Sequence, residues 1–442
     1  MRINLTDNNI CLPNDGVFYR KEVAALFPIA NKTIAELCRE NENLLIFPYN
    51  IEETKDKIGE YSVMNILNTD DSEKVRLCTG NVMGFIGVGN IQIKIKSRFD
   101  RGRDDFFLHY MLQKVLSFNL FDLSHNNDPD DIFDFSMFMF PYFLKSAMRQ
   151  GVYREYQNYK HNDANIKGTI NIGRHLAKNI PFVGNFAYST REYSHDNNMT
   201  ELIRHTIEFM KSKKYGQSIL NIDRETIENI KVIIEHTPLY NKGERKNIIC
   251  KNLRMKIHPY YIEYSPLQAL CLQILKMEEI KYSESKENIY GILFDGAWLW
   301  EEYVNTILRE FDFVHPENKL HKGYIYLFKD KNGIRYPDFY NKDMVLDAKY
   351  KKLGSYERVS KIDRNDIHQI IAYMSALSVC KGGFIAPLEK KQVELPTSTL
   401  RNSSSTLSIY GIEICKTATS YTDFCCKMKE KETTFIKSLE ID

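Results

Sequence analysis

Apolar residues recur along this chain with two different periods, and the change between them divides it into three parts. Between residues 74 and 98, short β-type runs at 74–78, 82–88 and 91–95 are separated by Gly80, Gly84, Gly87 and Gly89, the punctuation of strands joined by tight turns. Ile91-Gln92-Ile93-Lys94-Ile95-Lys96 alternates strictly, which predicts a strand with one buried face. From about residue 104 to 286 the period becomes helical. Phe107, Tyr110, Met111, Val115 and Leu116 share a face, as do Met137, Phe140, Phe143, Leu144 and Met148, and Leu202, Ile203, Thr206, Ile207 and Met210. Such stripes are core. Beyond 288 the pattern predicts a helix over 298–311, with Trp300, Tyr303, Val304, Ile307, Leu308 and Phe311 inward. A hairpin follows, in which 324–328 and 334–340 flank Asp330-Lys331-Asn332-Gly333. Next come a helix with Ile367, Ile370, Ile371, Met374 and Leu377 inward, and strand-like runs at 384–386 and 407–414. The fold class is α/β (α+β): a mixed, β-rich N-terminal domain over 1–103, a mainly helical region over 104–287, and a C-terminal α/β domain over 288–442.

Composition narrows this picture. The 442 residues are 43% hydrophobic and 27% charged, as in a globular chain. Lys and Arg number 60 against 58 Asp and Glu, so a nucleic-acid partner does not follow from net charge. It would need local runs such as Lys145, Arg149, Arg154, Lys160, Lys167 and Arg174, or Lys242, Arg245, Lys246, Lys251, Arg254 and Lys256; solvated helix faces are the commoner explanation of such runs. The nine cysteines are scattered apart from adjacent Cys425-Cys426, as in reduced cytosolic proteins. Residues 1–8 lack the apolar stretch of a signal peptide, and no run of about 18 apolar residues occurs. The expectation is a soluble cytoplasmic protein with no membrane partner. Gly84-x-x-Gly87-x-Gly89 matches neither G-x-x-x-x-G-K-[ST] nor a dinucleotide fingerprint and reads as hairpin glycines. There is no G-x-S-x-G, H-E-x-x-H or paired C-x-x-C, and His258, His315, His321 and His368, without ligand spacing, read as surface or boundary residues.

The candidate chemistry lies between Arg335 and Tyr350. With a two-residue turn at Lys342-Asp343, Asn341 falls opposite Met344 and Asp338 opposite Asp347, with Cβ atoms roughly 4.5–5.5 Å apart. Alternation sends Met344, Leu346, Ala348 and Tyr350 to one face and Val345, Asp347 and Lys349 to the other. One face is expected to pack and the other to do chemistry. Two adjacent carboxylates cannot both stay ionised without help. A hard divalent cation supplies that help, and Mg²⁺ suits one or two carboxylates beside a lysine, with Mn²⁺ as an alternative. Lys-Asp is not a favoured two-residue turn, and a longer loop slipping the register by one residue would turn Asp338 to the packed face. In the unslipped register Asp338 and Asp347 hold the metal, the Ala348 carbonyl adds a ligand, and Lys349 orients or helps deprotonate the attacking water. Glu53-Thr54-Lys55, Glu279-Ile280-Lys281, Glu284-Ser285-Lys286 and Glu389-Lys390-Lys391 share the [DE]-x-K pattern, but none follows a Pro-Asp inside an apolar strand. On the next helix Gln369 and Tyr373 lie one turn apart. Glu301 lies at the edge of the 298–311 stripe, and Glu302 is expected to point away.

These residues resemble the PD-(D/E)xK nuclease superfamily, and more narrowly the McrC family, the nuclease subunit of McrBC modified-cytosine restriction systems. Tyr336-Pro337-Asp338 and Leu346-Asp347-Ala348-Lys349-Tyr350 carry the likeness. Leu299-Trp300-Glu301-Glu302-Tyr303-Val304 is similar to that family's L-F-E-x-[FY]-V helix, Ile166-Lys167-Gly168-Thr169-Ile170 to its K-G-x-I segment, and Asp196-Asn197-Asn198-Met199-Thr200-Glu201 to its D-x-x-x-N helix start. Gly87-x-Gly89-x-Ile91 and the strand after it resemble its first-domain sheet, with Ile95-Lys96 where Pro-Lys is common. The resemblance implies a partner-docking domain over 1–103 and a restriction-endonuclease-like domain over 288–442. It implies a subunit without a motor, whose N-terminal region plugs a McrB-like AAA+ GTPase ring, stimulates GTP hydrolysis and cuts modified double-stranded DNA. The absence of a Walker A motif agrees. It also implies metal binding by Asp338 and Asp347, the lysine role for Lys349, a supporting acid at Glu301, and active-site support from Gln369 and Tyr373. Two alternatives stay open: a vestigial nuclease acting as activator and plug of the ring, and a stand-alone RecB-like repair nuclease, which leaves the first two-thirds of the chain unexplained.

Overall fold

The computed structural model describes residues 1–11, 15–41, 44–48, 58–89, 91–100, 105–116, 131–213, 216–254, 258–282, 289–316, 322–353, 356, 358–390, 394, 396–401 and 403–439. Lys256, His321, Lys391 and the tripeptides at 53–55 and 284–286 lie outside them. The chain forms two compact units, Met1–Ile132 with Glu284–Asp442, and Phe133–Ser283. The first begins with β1 (Arg2–Thr6), β2 (Val17–Tyr19), α1 (Ile34–Glu40), β3 (Leu44–Phe47), β4 (Met64–Asn68), β5 (Lys74–Thr79), β6 (Val82–Val88), β7 (Ile91–Lys96) and α2 (Phe106–Leu116). The three runs expected between 74 and 98 are strands. On β7, Ile91, Ile93 and Ile95 are buried while Gln92, Lys94 and Lys96 are half-exposed, as alternation requires.

The second unit carries α3 (Asp131–Met148), β8 (Glu155–Asp163), β9 (Thr169–Ile170), α4 (Ile172–Lys178), β10 (Phe186–Ser194), α5 (Asn198–Lys211), α6 (Gly216–Leu220), α7 (Arg224–Glu235), α8 (Arg245–Lys251) and α9 (Tyr264–Tyr282). Its helices follow the expected stripes. Leu202, Ile203, Thr206, Ile207 and Met210 are all buried on α5, whose N-cap Asn197 accepts hydrogen bonds from the amides of Met199 and Thr200. The region is not helical throughout, because β8 and β10 pair antiparallel from Glu155 opposite Ser194 to Asp163 opposite Phe186. On β8, side chains alternate only between half-buried and exposed, so its sequence carries no apolar alternation.

The first unit resumes with β11 (Ile289–Asp295), α10 (Gly296–Leu308), β12 (Ile325–Tyr326), β13 (Ile334–Arg335), β14 (Phe339–Tyr340), β15 (Met344–Ala348), α11 (Arg364–Leu377), β16 (Lys381–Leu388), β17 (Thr397–Thr399), β18 (Thr406–Glu413) and α12 (Tyr421–Ser438). The hairpin expected around Asn332-Gly333 is β12 and β13, with Gly333 at φ +70°. Strand β11 completes the N-terminal sheet, ordered β1-β7-β6-β11-β3, antiparallel to β6 and parallel to β3. Gly84 lies against it at φ +127°, where a Cβ would stand 2.3 Å from the Ile292 carbonyl oxygen, so glycine is what lets β6 and β11 pair.

A second sheet runs β14-β15-β16-β18-β17, with β15, β16 and β18 parallel. Parallel neighbours need a long crossover, which α11 supplies between β15 and β16. Met344, Val345 and Leu346 are 2%, 0% and 0% exposed, which corrects the expectation of one packed and one open face on β15. Strands of a parallel sheet covered by helices bury both faces. Val345 shares a core with Ile370, Tyr373 and Met374 of α11, and Trp300 of α10, fully buried, donates its indole N–H to the Ile385 carbonyl at 3.1 Å. The architecture is mixed α/β, with a β-rich N-terminal region and helical middle and C-terminal segments. Among the described residues no helix is long and apolar enough to cross a membrane.

Candidate active site

Strands β14 and β15 pair with Phe339 opposite Leu346 and Tyr340 opposite Val345. That register places Asp338 opposite Asp347 and Asn341 opposite Met344, whose carbonyl accepts the Asn341 amide at 3.0 Å. The turn holds although Lys342-Asp343 is not a favoured pair. Asn341 Oδ1 accepts the amides of Asp343 and Met344, both at 2.9 Å, and this Asx turn closes the loop. Asp338 Oδ2 in turn accepts the Ala348 amide at 2.8 Å, which ties the first carboxylate to the opposite strand.

Asp347 is 4% exposed. Its buried Oδ2 lies 2.7 Å from Lys349 Nζ but receives no well-aligned hydrogen bond. Burial first, and then the neighbouring Asp338 carboxylate, pushes the Asp347 carboxyl up to about 7 against the pull of Lys349. Burial works against the Lys349 ammonium, yet Asp347, Asp338 and Asp366 outweigh it and hold the pKa above the ordinary lysine value. Lys349 Nζ also meets Asp366 Oδ1 at 3.2 Å, and Lys351 meets the other Asp366 oxygen at 3.1 Å. Asp366 is not among the residues that the sequence pattern singles out. Its place one turn before Gln369 was the available signal.

Of the remaining candidates, Gln369 and Tyr373 lie on α11, the helix that carries Asp366. Gln369 Nε2 donates to the Tyr373 hydroxyl at 2.8 Å, so the two share a face of α11, with Tyr373 buried and Gln369 exposed. Glu301 is brought toward the Asp338 side through His315. The imidazole Nδ1 donates to the Asp338 carbonyl at 2.8 Å and lies 4.0 Å from Glu301 Oε1, while Nε2 lies 3.8 Å from Glu302 Oε1. Glu302 therefore does not point away, because the segment paired with Tyr340 through Val314 brings His315 to both glutamates. His315 is a boundary residue: its side chain is 16% exposed and its ring stacks on Phe339 at 5.0 Å. Burial lowers its pKa, but Glu302, Glu301 and the Asp338 carbonyl together raise it to about 9. Nothing in the spacing of the sequence announces this contact.

The donor set suits a hard cation rather than zinc. Two carboxylates face one another across the hairpin, one of them buried with an oxygen short of hydrogen bonds, and Mg²⁺ characteristically takes one or two carboxylates and fills its shell with water and substrate oxygens. Among the described residues no three His, Cys, Asp or Glu side chains cluster as a metal cage.

Residues 77–387 match the family model described as McrBC 5-methylcytosine restriction system component. No curated protein matches the chain. Among solved structures, a chain of the refined half-complex from the tetradecameric assembly of Thermococcus gammatolerans McrB AAA+ hexamers with bound McrC is similar in fold, with TM-score 0.50 and 14% identity over 99% of this chain and 100% of that one. A chain of the cryo-EM structure of the Thermococcus gammatolerans McrBC complex aligns at 14% identity over 70% of this chain and 87% of that one, with TM-score 0.31. The family model spans well over half of the sequence, and the chain belongs to the family of McrBC 5-methylcytosine restriction system components.

Proposed function

We propose that this chain is the McrC-type nuclease subunit of a GTP-dependent restriction complex, with a PD-(D/E)xK domain over 288–442 that hydrolyses phosphodiester bonds of double-stranded DNA carrying modified cytosine. The observation that carries the reading is the opposed pair Asp338 and Asp347, with Lys349 against the second carboxylate. Asp338 and Asp347 would hold Mg²⁺ or Mn²⁺, with the Ala348 carbonyl alongside. When bound, such an ion acidifies water and stabilises charge on phosphate oxygens. Lys349 is held in its charged form by three carboxylates, so its part is to orient water and the scissile phosphate rather than to accept a proton. Asp366 steadies that ammonium from α11, where Gln369 and Tyr373 line the same helix face. Glu301 supports the Asp338 side through His315. Residues 1–103 would dock an AAA+ GTPase ring and stimulate its hydrolysis, with 104–287 as the mainly helical segment between.

The test is cleavage of methylated plasmid by the chain and its GTPase partner with GTP and Mg²⁺. Asp347→Ala and Lys349→Ala should each lower cutting by about 100-fold or more while GTP hydrolysis persists. Undiminished cutting by both would end the reading. A second reading, an activator and plug with a vestigial nuclease centre, draws on the lack of a three-residue metal cluster among the described residues. It predicts GTPase stimulation with no cutting by the unaltered protein.

A further inference from the structure

Strand β15 does not end free beyond Lys349. The next residue, Tyr350, is buried against the N-terminal sheet, where Arg98, two residues past β7, meets it. The Arg98 guanidinium donates to the Tyr350 carbonyl and lies 4.6 Å from the centre of its ring. Nη2 also donates to Asn81 Oδ1 at 3.0 Å, and Nη1 stands 3.1 Å from Oδ2 of fully buried Asp7. The Tyr350 hydroxyl shares a hydrogen bond with Ser97 Oγ at 2.7 Å.

Asn81 extends the contact to the other side of the candidate site. Its carbonyl accepts the Gly296 amide at 2.8 Å, and its amide nitrogen lies 3.5 Å from Asp295 Oδ2. Asp295 is the N-cap of α10 and accepts the Trp298 amide at 2.8 Å. Gly296 backs onto Tyr350 so closely that a Cβ would stand 2.8 Å from the ring. One guanidinium thus grips the residue after Lys349 and, through Asn81, the start of the helix that bears Glu301 and Glu302. Cohesion alone does not call for it, because apolar packing of equal volume commonly matches a buried ion pair. What a planar fork adds is orientation.

We propose that Arg98 is a positioning residue for the nuclease site: it fixes the end of β15 and the N-terminus of α10 relative to each other, and so sets Lys349 and Glu301 against Asp338 and Asp347. This rests on the nuclease reading above. It makes the N-terminal sheet part of the cutting centre.

The test uses the full chain with its GTPase partner and two variants. Arg98→Lys keeps a charge opposite Asp7 but cannot span Asn81 and Tyr350 together; the double variant Asp7→Asn/Arg98→Met leaves no buried charge unpaired. Each should fold as the wild type does, judged by its circular dichroism, and show kcat for plasmid cleavage lowered by about 100-fold at unchanged KM. In the metal-free protein, amide exchange at Lys349 and Tyr350 should rise roughly tenfold. Wild-type kcat in either folded variant, or a loss without faster exchange at those amides, overturns the proposal while inactive Asp347→Ala leaves the nuclease reading intact. Full cutting by Asp347→Ala overturns both.

Discussion

A carboxylate that is 4% exposed and faces both a second carboxylate and an ammonium has few comfortable charge states without a metal ion. Asp347 occupies that position. Asp105 is a simpler case, fully buried and pushed up to about 7 by desolvation, with the nearby Lys94 pulling it down. Its Oδ1 accepts the Ser97 amide at 3.3 Å, while Oδ2 is buried without a hydrogen bond. Because its folded pKa lies above the unfolded value, the residue penalises the native state increasingly as pH rises from about 4 to 7. Asp105→Asn keeps the Ser97 contact and removes the penalty. Urea unfolding should find the variant more stable than wild type at pH 8, by on the order of 2 kcal/mol, with the advantage gone by pH 4. At this scale the Asp338, Asp347 and Lys349 arrangement was legible, since strand alternation and a short turn dictate it. Asp366 and His315 were not, because their contacts arise from how α11 and the Val314 segment pack, which no local spacing encodes.

At the scale of elements, one side chain closes the turn of the hairpin. Asn341 closes the turn with two backbone hydrogen bonds, so Asn341→Ala should cost about 1–2 kcal/mol in unfolding free energy. Cutting should fall with it as Asp338 loses its place opposite Asp347; unchanged stability and activity would show that the strands hold register unaided. Elements with clean periodicity, such as β7, α5 and α11, could be read from the sequence. Strand β11 could not, for a short apolar run does not tell strand from helix and its partners β3 and β6 lie far away in sequence. Helix α12 was hidden by Glu432, a charge inside the buried stripe of Phe424, Met428 and Phe435. The hydroxyls of Tyr110 and Tyr303 donate to its Oε1, each at 2.8 Å, and Lys114 pairs with Oε2 at 3.0 Å. A buried carboxylate so supplied is tolerated in a core.

At the scale of the whole chain, the two ends of the sequence are interleaved in one compact unit. β11 completes the N-terminal sheet and runs straight into α10, so the strand that pairs with β6 also launches the helix bearing Glu301. In the proposed complex, whatever docks on residues 1–103 therefore presses on a sheet that contains part of the nuclease framework. The balance of 60 basic and 58 acidic residues means that net charge supplies no broad field to attract DNA. All of this turns on whether the opposed carboxylates take up a cation. The most direct measurement is a calorimetric titration of Mn²⁺ into the full chain and into Asp338→Asn and Asp347→Asn. The account predicts a single site in the wild type, weakened by roughly tenfold or more in each variant; equal binding in all three proteins, or none in the wild type, would contradict it.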